Sequence, residues 1–208
     1  MDLIFDLDGT ILDISLKYNY LYEEIRINYG LPPVNYWEKR QEISDFSLCL
    51  EALGISRLRL EEFRSEWASK IEEQKILEFD SVLKDVKEKI SLFKKQNHEI
   101  LLCTARRNIK NLANQLQDLG LDTIFGQVLI SNSDSGKLKI LQNYFSENPR
   151  NAFTNTWFIS DTAEDILVGK KLGLMTCGVL TGLGSRESLS RAGADLTLDS
   201  VANFNVAN

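Results

Sequence analysis

The spacing of apolar positions changes character twice along the chain. Leu3–Ile4–Phe5 is a short apolar run that reads as a buried strand, and it ends in Asp6, Leu7, Asp8, Gly9 and Thr10. Between residues 14 and 80 the spacing becomes helical, with segments over about 15–29, 36–53 and 58–75, a turn at Leu31–Pro32–Pro33, and little that resembles a strand. Tyr18, Tyr22, Ile25 and Tyr29 recur at i, i+4, i+7 and i+11, a single stripe. Packing inside a helical subdomain is a simpler reading of that stripe than a substrate pocket.

From residue 81 onward strands and helices alternate. Residues 82–96 have helical spacing and lead into the apolar run 99–103. Ile109, Leu112, Ala113, Leu116 and Leu119 then mark one face of a helix that stops at Gly120. Strands follow at 127–131, 156–160, 174–180 and 194–198, with helices at 138–145, 163–172 and around 185–192 between them. Such alternation predicts an α/β fold: βαβ crossovers and a parallel sheet covered by helices on both faces. Sheets of this kind bind ligands at the carboxyl ends of their strands.

Composition narrows the class. The 208 residues are 43% hydrophobic and 26% charged, enough apolar side chain for a substantial core. Lys plus Arg number 24 against 30 Asp plus Glu, a net charge of −6, which argues against a broad nucleic-acid surface. No apolar run reaches the roughly 18 residues expected of a membrane span. Asp2 and the lack of a basic leader set the expectation of no signal peptide and a cytoplasmic location. Cys49, Cys103 and Cys177 are far apart and lack metal-ligand spacing, so reduced thiols are expected. His98 is the only histidine and lies in a polar turn, which disfavours Ser–His–Asp and Cys–His mechanisms.

The carboxylate pair Asp6 and Asp8 is then the main chemical signal. A calcium loop starting at Asp6 would need glycine at its sixth position and glutamate at its twelfth, where the chain has Ile11 and Lys17. A strand cap accounts for one aspartate but not for two beside a glycine and a threonine. The third reading is phosphoryl transfer to an aspartate. Carboxylate and phosphate repel by about 4 kcal/mol per unit-charge pair at contact, for an effective dielectric near 20. Such a site needs a divalent cation, a lysine and a hydroxyl or backbone donor from other strand ends. Thr104 after the run 99–103, Lys137 after Gly136, and Asp161 with Asp165 one helical turn later have the types and places required.

With DLDGT at 6–10, Thr104 at a strand end, Lys137, and SDTAED at 160–165, the chain resembles the haloacid-dehalogenase superfamily in its phosphatase branch. The tail 178–201 is similar to that of phosphoglycolate-phosphatase-like members. The resemblance implies a Rossmann-like catalytic core at 1–13 and 81–208, with residues 14–80 as a helical cap inserted after the first strand. It implies Asp6 as a nucleophile that forms an aspartyl-phosphate and Asp8 as general acid and base. Mg²⁺ would be held by Asp6, the Asp8 backbone carbonyl and Asp161, with Asp165 a further ligand or, preferably, a carboxylate behind the metal. Thr104 and Lys137 would hold phosphoryl oxygens, with Lys139 the less favoured lysine. A small phosphomonoester is the implied partner, such as a sugar phosphate or a phosphoglycolate-like acid; the oligomeric state is left open.

Three departures from the family pattern stand out: Ser160 in place of a glycine before Asp161, Ile14 in place of a Ser or Thr after Asp13, and Asp80–Ser81 in place of Pro-Gly. A phosphomutase of the β-phosphoglucomutase type shares every catalytic residue named. A receiver-like phosphoacceptor domain also uses an aspartate, a threonine and a lysine, but the insertion and the order of the motif argue against it. Tyr18, Tyr22, Arg26, the stretch 44–49 and Arg106 are candidate specificity positions without a stronger signal.

Overall fold

The computed structural model describes residues 1–131, 136–148 and 155–206. Two compact units emerge, one formed by residues 1–13 with 82–208 and one by residues 14–81.

In the first unit, six parallel strands form the sheet: β1 (Asp2–Phe5), β4 (Glu99–Thr104), β5 (Gln127–Ile130), β6 (Thr156–Ser160), β7 (Met175–Val179) and β8 (Leu196–Leu198). Their order is β5-β4-β1-β6-β7-β8. Two-residue strands, β2 (Leu12–Asp13) and β3 (Ser81–Val82), lie outside this sheet. The expected parallel α/β sheet is therefore present. Its central strands are apolar runs because both faces are covered: Leu3, Ile4 and Phe5 of β1 are fully buried. Ile4 packs with Leu101, Cys103, Leu129 and Phe158 from neighbouring strands and with Leu141, Tyr144 and Phe145 of helix α8 (Gly136–Glu147).

The order places β1 centrally, with the chain running outward through β4 and β5 on one side and through β6, β7 and β8 on the other. The carboxyl ends of β1 and β6 therefore flank the switch point, where connections diverge and leave a crevice. Phe5 pairs with both Leu102 and Ile159, so the strand ends at Asp6, Thr104 and Asp161 are in near-register. The helices that follow β4 and β6 are α7 (Ile109–Asp118), capped by the Asn108 side chain, and α9 (Ala163–Lys171), capped by Thr162.

The second unit contains α1 (Ser15–Tyr29), α2 (Tyr36–Glu42), α3 (Phe46–Ala52), α4 (Arg57–Lys70) and α5 (Gln74–Leu77). The spacing predicts one helix over 36–53 and one over 58–75; each is instead two. Asp45 accepts from the Leu48 amide as an N-cap and starts a new helix, so the first segment breaks there. The Tyr18–Tyr29 stripe is internal packing. Tyr22 stacks on Tyr36 with ring centres 4.3 Å apart, Tyr18 meets Trp37 and Trp67 edge-on, and Tyr29 meets Phe63. These rings form a core with Leu21, Ile25, Cys49 and Leu50. No helix among the described residues is long and apolar enough to cross a membrane. All three cysteines are buried and free.

Candidate active site

Asp6 directly follows β1, and its amide still donates to the Ile159 carbonyl at 2.9 Å, so its side chain is set by the sheet ladder. The next residues form a tight turn. Amides of Ile11 and Leu12 converge on the Leu7 carbonyl at 2.9 Å, and Gly9 adopts a φ of +76°, a conformation glycine reaches without steric cost. Gly9 is needed for a second reason: a Cβ there would lie 2.7 Å from Asp161 Oδ2. The turn thereby carries Asp8 back beside the strand ends.

Lys137 stands at the start of α8. Its ammonium donates to Asp6 Oδ1 at 2.5 Å and to Asp165 Oδ2 at 2.6 Å. Lys139 is exposed, so the lysine at the strand ends is Lys137. Asp165 Oδ2 also accepts from Ser160 Oγ at 2.7 Å, and the Asp165 amide donates to Thr162 Oγ1. Ser160 thus braces the carboxylate that braces the lysine. Asp161 follows β6; its Oδ1 accepts from Thr10 Oγ1 at 3.2 Å and its Oδ2 from the Leu183 amide at 2.8 Å. Thr104 ends β4 and is fully buried, its Oγ1 accepting from the Arg106 amide at 3.3 Å. The structure brings Asp6, Lys137, Asp165 and Asp161 into one buried cluster, with Thr104 at the adjoining strand end. Asp8 lies nearer the solvent, gripped by Arg106 through Nε at 2.6 Å and Nη2 at 2.7 Å.

The electrostatics follow from burial. Asp6, Asp161 and Asp165 are 6%, 1% and 6% exposed, and Lys137 is the one cation paired with them among the described residues. Burial pushes the Asp6 carboxyl well above the ordinary carboxylate range, Lys137 pulls it back, and the charges of Asp165 and Asp161 add to the rise. Burial likewise raises Asp161 to about 6, against the pull of the Leu183 amide and with a further rise from Asp165. Burial alone would favour neutral Lys137, but Asp165 and Asp6 outweigh it and hold the ammonium protonated.

This donor set fits a hard divalent cation. Three buried carboxylates face one ammonium, an excess of negative charge in a dry place, and all the available donors are oxygen. Among the described residues no three Asp, Glu, His or Cys side chains form a ready-made metal cage. Asp165 Oδ2 is already engaged by Lys137 and Ser160, which leaves that oxygen little capacity for a further partner. A cavity of about 320 Å³ lies beside the cluster, lined in part by Asp6, Ala105, Lys137, Thr162 and Asp165.

Sequence reasoning missed three features. The Leu183 amide and the glycines around it were not singled out, although a Cβ at Gly182 would come within 1.8 Å of Asp161 Oδ2. In the sequence the Thr10 hydroxyl is legible only as part of a motif. Arg106 stands beside Thr104 in the sequence, but its grip on Asp8 spans 98 residues of sequence and leaves no periodic trace.

The chain is similar to known proteins over most of its length. The family model for haloacid dehalogenase-like hydrolase matches residues 3–179. No curated protein sequence matches. A haloacid dehalogenase-like hydrolase from Streptococcus pneumoniae superposes with a TM-score of 0.76 at 16% identity, covering 96% of this chain and 94% of that one. A Haemophilus somnus protein described as a predicted phosphoglycolate phosphatase gives 0.71 at 17% identity over 97% and 95%. A Thermotoga maritima protein described as a candidate β-phosphoglucomutase gives 0.70 at 22% over 97% and 95%. At these identities the likeness is one of fold. The family match over most of the chain, on a sheet whose crevice gathers Asp6, Lys137 and Asp161, makes this protein a member of the haloacid dehalogenase-like hydrolase family.

Proposed function

We propose that the protein is a Mg²⁺-dependent phosphatase that hydrolyses a small phosphomonoester through an aspartyl-phosphate on Asp6. The observation that carries this reading is the Asp6 carboxylate, fixed by the sheet at a strand end and bonded to the Lys137 ammonium, with Asp161 buried beside it. One oxygen of Asp6 attacks phosphorus, and the bond from phosphorus to the leaving alcohol oxygen breaks. Asp8 gives that oxygen a proton, then takes one from the water that attacks the aspartyl-phosphate; the phosphorus–Asp6 bond breaks and the free carboxylate returns. Lys137 and Thr104 hold phosphoryl oxygens and offset the charge that builds up on them. Asp6, the Asp8 carbonyl and Asp161 would hold Mg²⁺, while Asp165 and Ser160 keep Lys137 in place. When bound, the metal supplies positive charge that lowers repulsion between carboxylate and phosphate.

The unit at 14–81 takes the part of a cap that selects substrate, in a protein that works on small phosphorylated metabolites in the cytoplasm. The test is phosphate release from a panel of phosphomonoesters, with and without Mg²⁺, beside an Asp6→Asn control. Metal-dependent release that the control lacks is the expected result. Isomerisation of a sugar phosphate with little net release would point instead to a mutase.

A further inference from the structure

As a phosphatase site, the crevice gives tasks to Asp6, Asp8, Lys137, Asp161 and Asp165 but none to Arg106. Lys137 is shared between Asp6 and Asp165 and supplies the positive charge for the phosphoryl group. Arg106 is paired with Asp8 instead. Its guanidinium closes on Asp8 with two parallel bonds, one to each carboxylate oxygen, while its amide is tied to Thr104 Oγ1. The Arg106 side chain is 6% exposed and that of Asp8 is 29% exposed, so the guanidinium is fixed in the wall of the crevice and the carboxylate is the more accessible partner.

This arrangement has two chemical consequences. A planar guanidinium fork matches any carboxylate or phosphate that offers two oxygens, and its match to Asp8 is a match to that shape. At the same time both Asp8 oxygens are occupied, although this carboxylate has to pass a proton to the leaving group. The conflict is resolved if the substrate brings an anion of its own. A carboxylate or second phosphate on the leaving group takes over the fork, Arg106 remains paired, and Asp8 is released toward the ester oxygen. An ester without such a group leaves Asp8 held.

Resting on the phosphatase reading, we infer that Arg106 is a specificity-determining residue: it selects phosphomonoesters whose leaving group carries a second anionic group, by exchanging Asp8 for that group. The test compares kcat/KM for 2-phosphoglycolate, fructose 1,6-bisphosphate and phenyl phosphate in the wild type, Arg106→Gln and Arg106→Lys, all with Mg²⁺. The wild type should favour one of the first two over phenyl phosphate by about 100-fold or more, a margin in keeping with sites built to pair a polar group. Which of the two is favoured identifies carboxylate or phosphate as the group recognised. Arg106→Gln should bring the ratio to within about tenfold of unity, and Arg106→Lys, which keeps the charge but not the fork, should restore only part of it. The lysine variant also carries the test if the glutamine variant does not fold. Equal losses on all three esters would reduce Arg106 to a support for Asp8 and overturn the inference, as would a wild-type ratio near unity. Absence of release from every ester, or release undiminished in Asp6→Asn, would instead remove the phosphatase reading on which the inference rests.

Discussion

Asp161 shows how closely single residues constrain this site. Its carboxylate is held by a hydroxyl and a backbone amide from two distant segments, and two glycines, Gly9 and Gly182, leave the space it fills. Gly182→Ala places a methyl group where Asp161 Oδ2 now lies. The side chain must swing away, at a cost of about 1–3 kcal/mol, and any Mg²⁺-dependent activity should fall with it. Thermal unfolding and a Mg²⁺ titration of activity together check this; a variant with wild-type metal dependence would contradict it. Residue types at the candidate site are readable from the sequence, since Asp6, Asp8 and Asp161 come after strands, Thr104 ends one and Lys137 lies at the start of a helix. Their supports were not. Leu183 contributes a backbone amide, which no side-chain pattern reports, and Ser160 reads as a small substitute for glycine until its hydroxyl is found on Asp165.

At the scale of elements, β7 and β8 are joined by more than their ladder. Asp195 accepts from the Thr176 amide at 2.7 Å, from Thr176 Oγ1 at 2.9 Å and from Lys170 Nζ at 2.7 Å. Burial would raise the Asp195 carboxyl, but these donors outweigh it and hold it below its ordinary 3.8. A carboxyl that titrates lower in the folded than in the unfolded state stabilises the fold above the unfolded value, and that stability is lost as pH falls through the folded one. Asp195→Asn should therefore lower the melting temperature at neutral pH, with the gap to wild type closing below about pH 3.8. The carboxylate is 39% exposed, so solvent screening keeps the effect small, about 1 kcal/mol. A gap that is constant with pH would contradict the assignment.

The helical unit carries the opposite kind of element. Arg40 of α2 is 5% exposed, lies over the Phe46 ring at 5.3 Å, and has Nε and Nη1 buried without a hydrogen-bond partner among the described residues. A buried charge without a counter-ion costs several kcal/mol, of which a ring face returns a part. Arg40→Met should accordingly stabilise the protein, by about 1 kcal/mol or more, in urea denaturation. Destabilisation would mean that the guanidinium packs better than its bonding suggests. In this unit helical content was evident from spacing, whereas the break at Asp45 was not. The capping signal Asp45–Phe46–Ser47–Leu48 lies inside an apolar period that continues across it, so periodicity joined two helices that a cap separates.

For the molecule as a whole, strand–helix alternation fixes a parallel sheet, and the sheet's order fixes where its carboxyl ends diverge. That is why motifs more than 150 residues apart in sequence, Asp6 and Asp161, meet at one crevice. The site they build holds more negative charge than Lys137 offsets, so a bound cation should stabilise the folded chain. At Mg²⁺ concentrations about 100-fold above the dissociation constant the gain is about 2.7 kcal/mol, several degrees in melting temperature. Asp161→Asn should lose that response, and an equal response in both proteins would place the metal elsewhere.

An aspartyl-phosphate on Asp6 can be captured covalently. The protein is mixed with 2-phosphoglycolate, fructose 1,6-bisphosphate or phenyl phosphate and Mg²⁺, then quenched during turnover with borohydride, which reduces an acyl phosphate to an alcohol. Peptide mass spectrometry then reads the modified residue. An Asp6 phosphoryl intermediate gives homoserine at position 6, dependent on substrate and metal. Steady phosphate release with no reduction at Asp6, or with the label on another carboxylate, would contradict it.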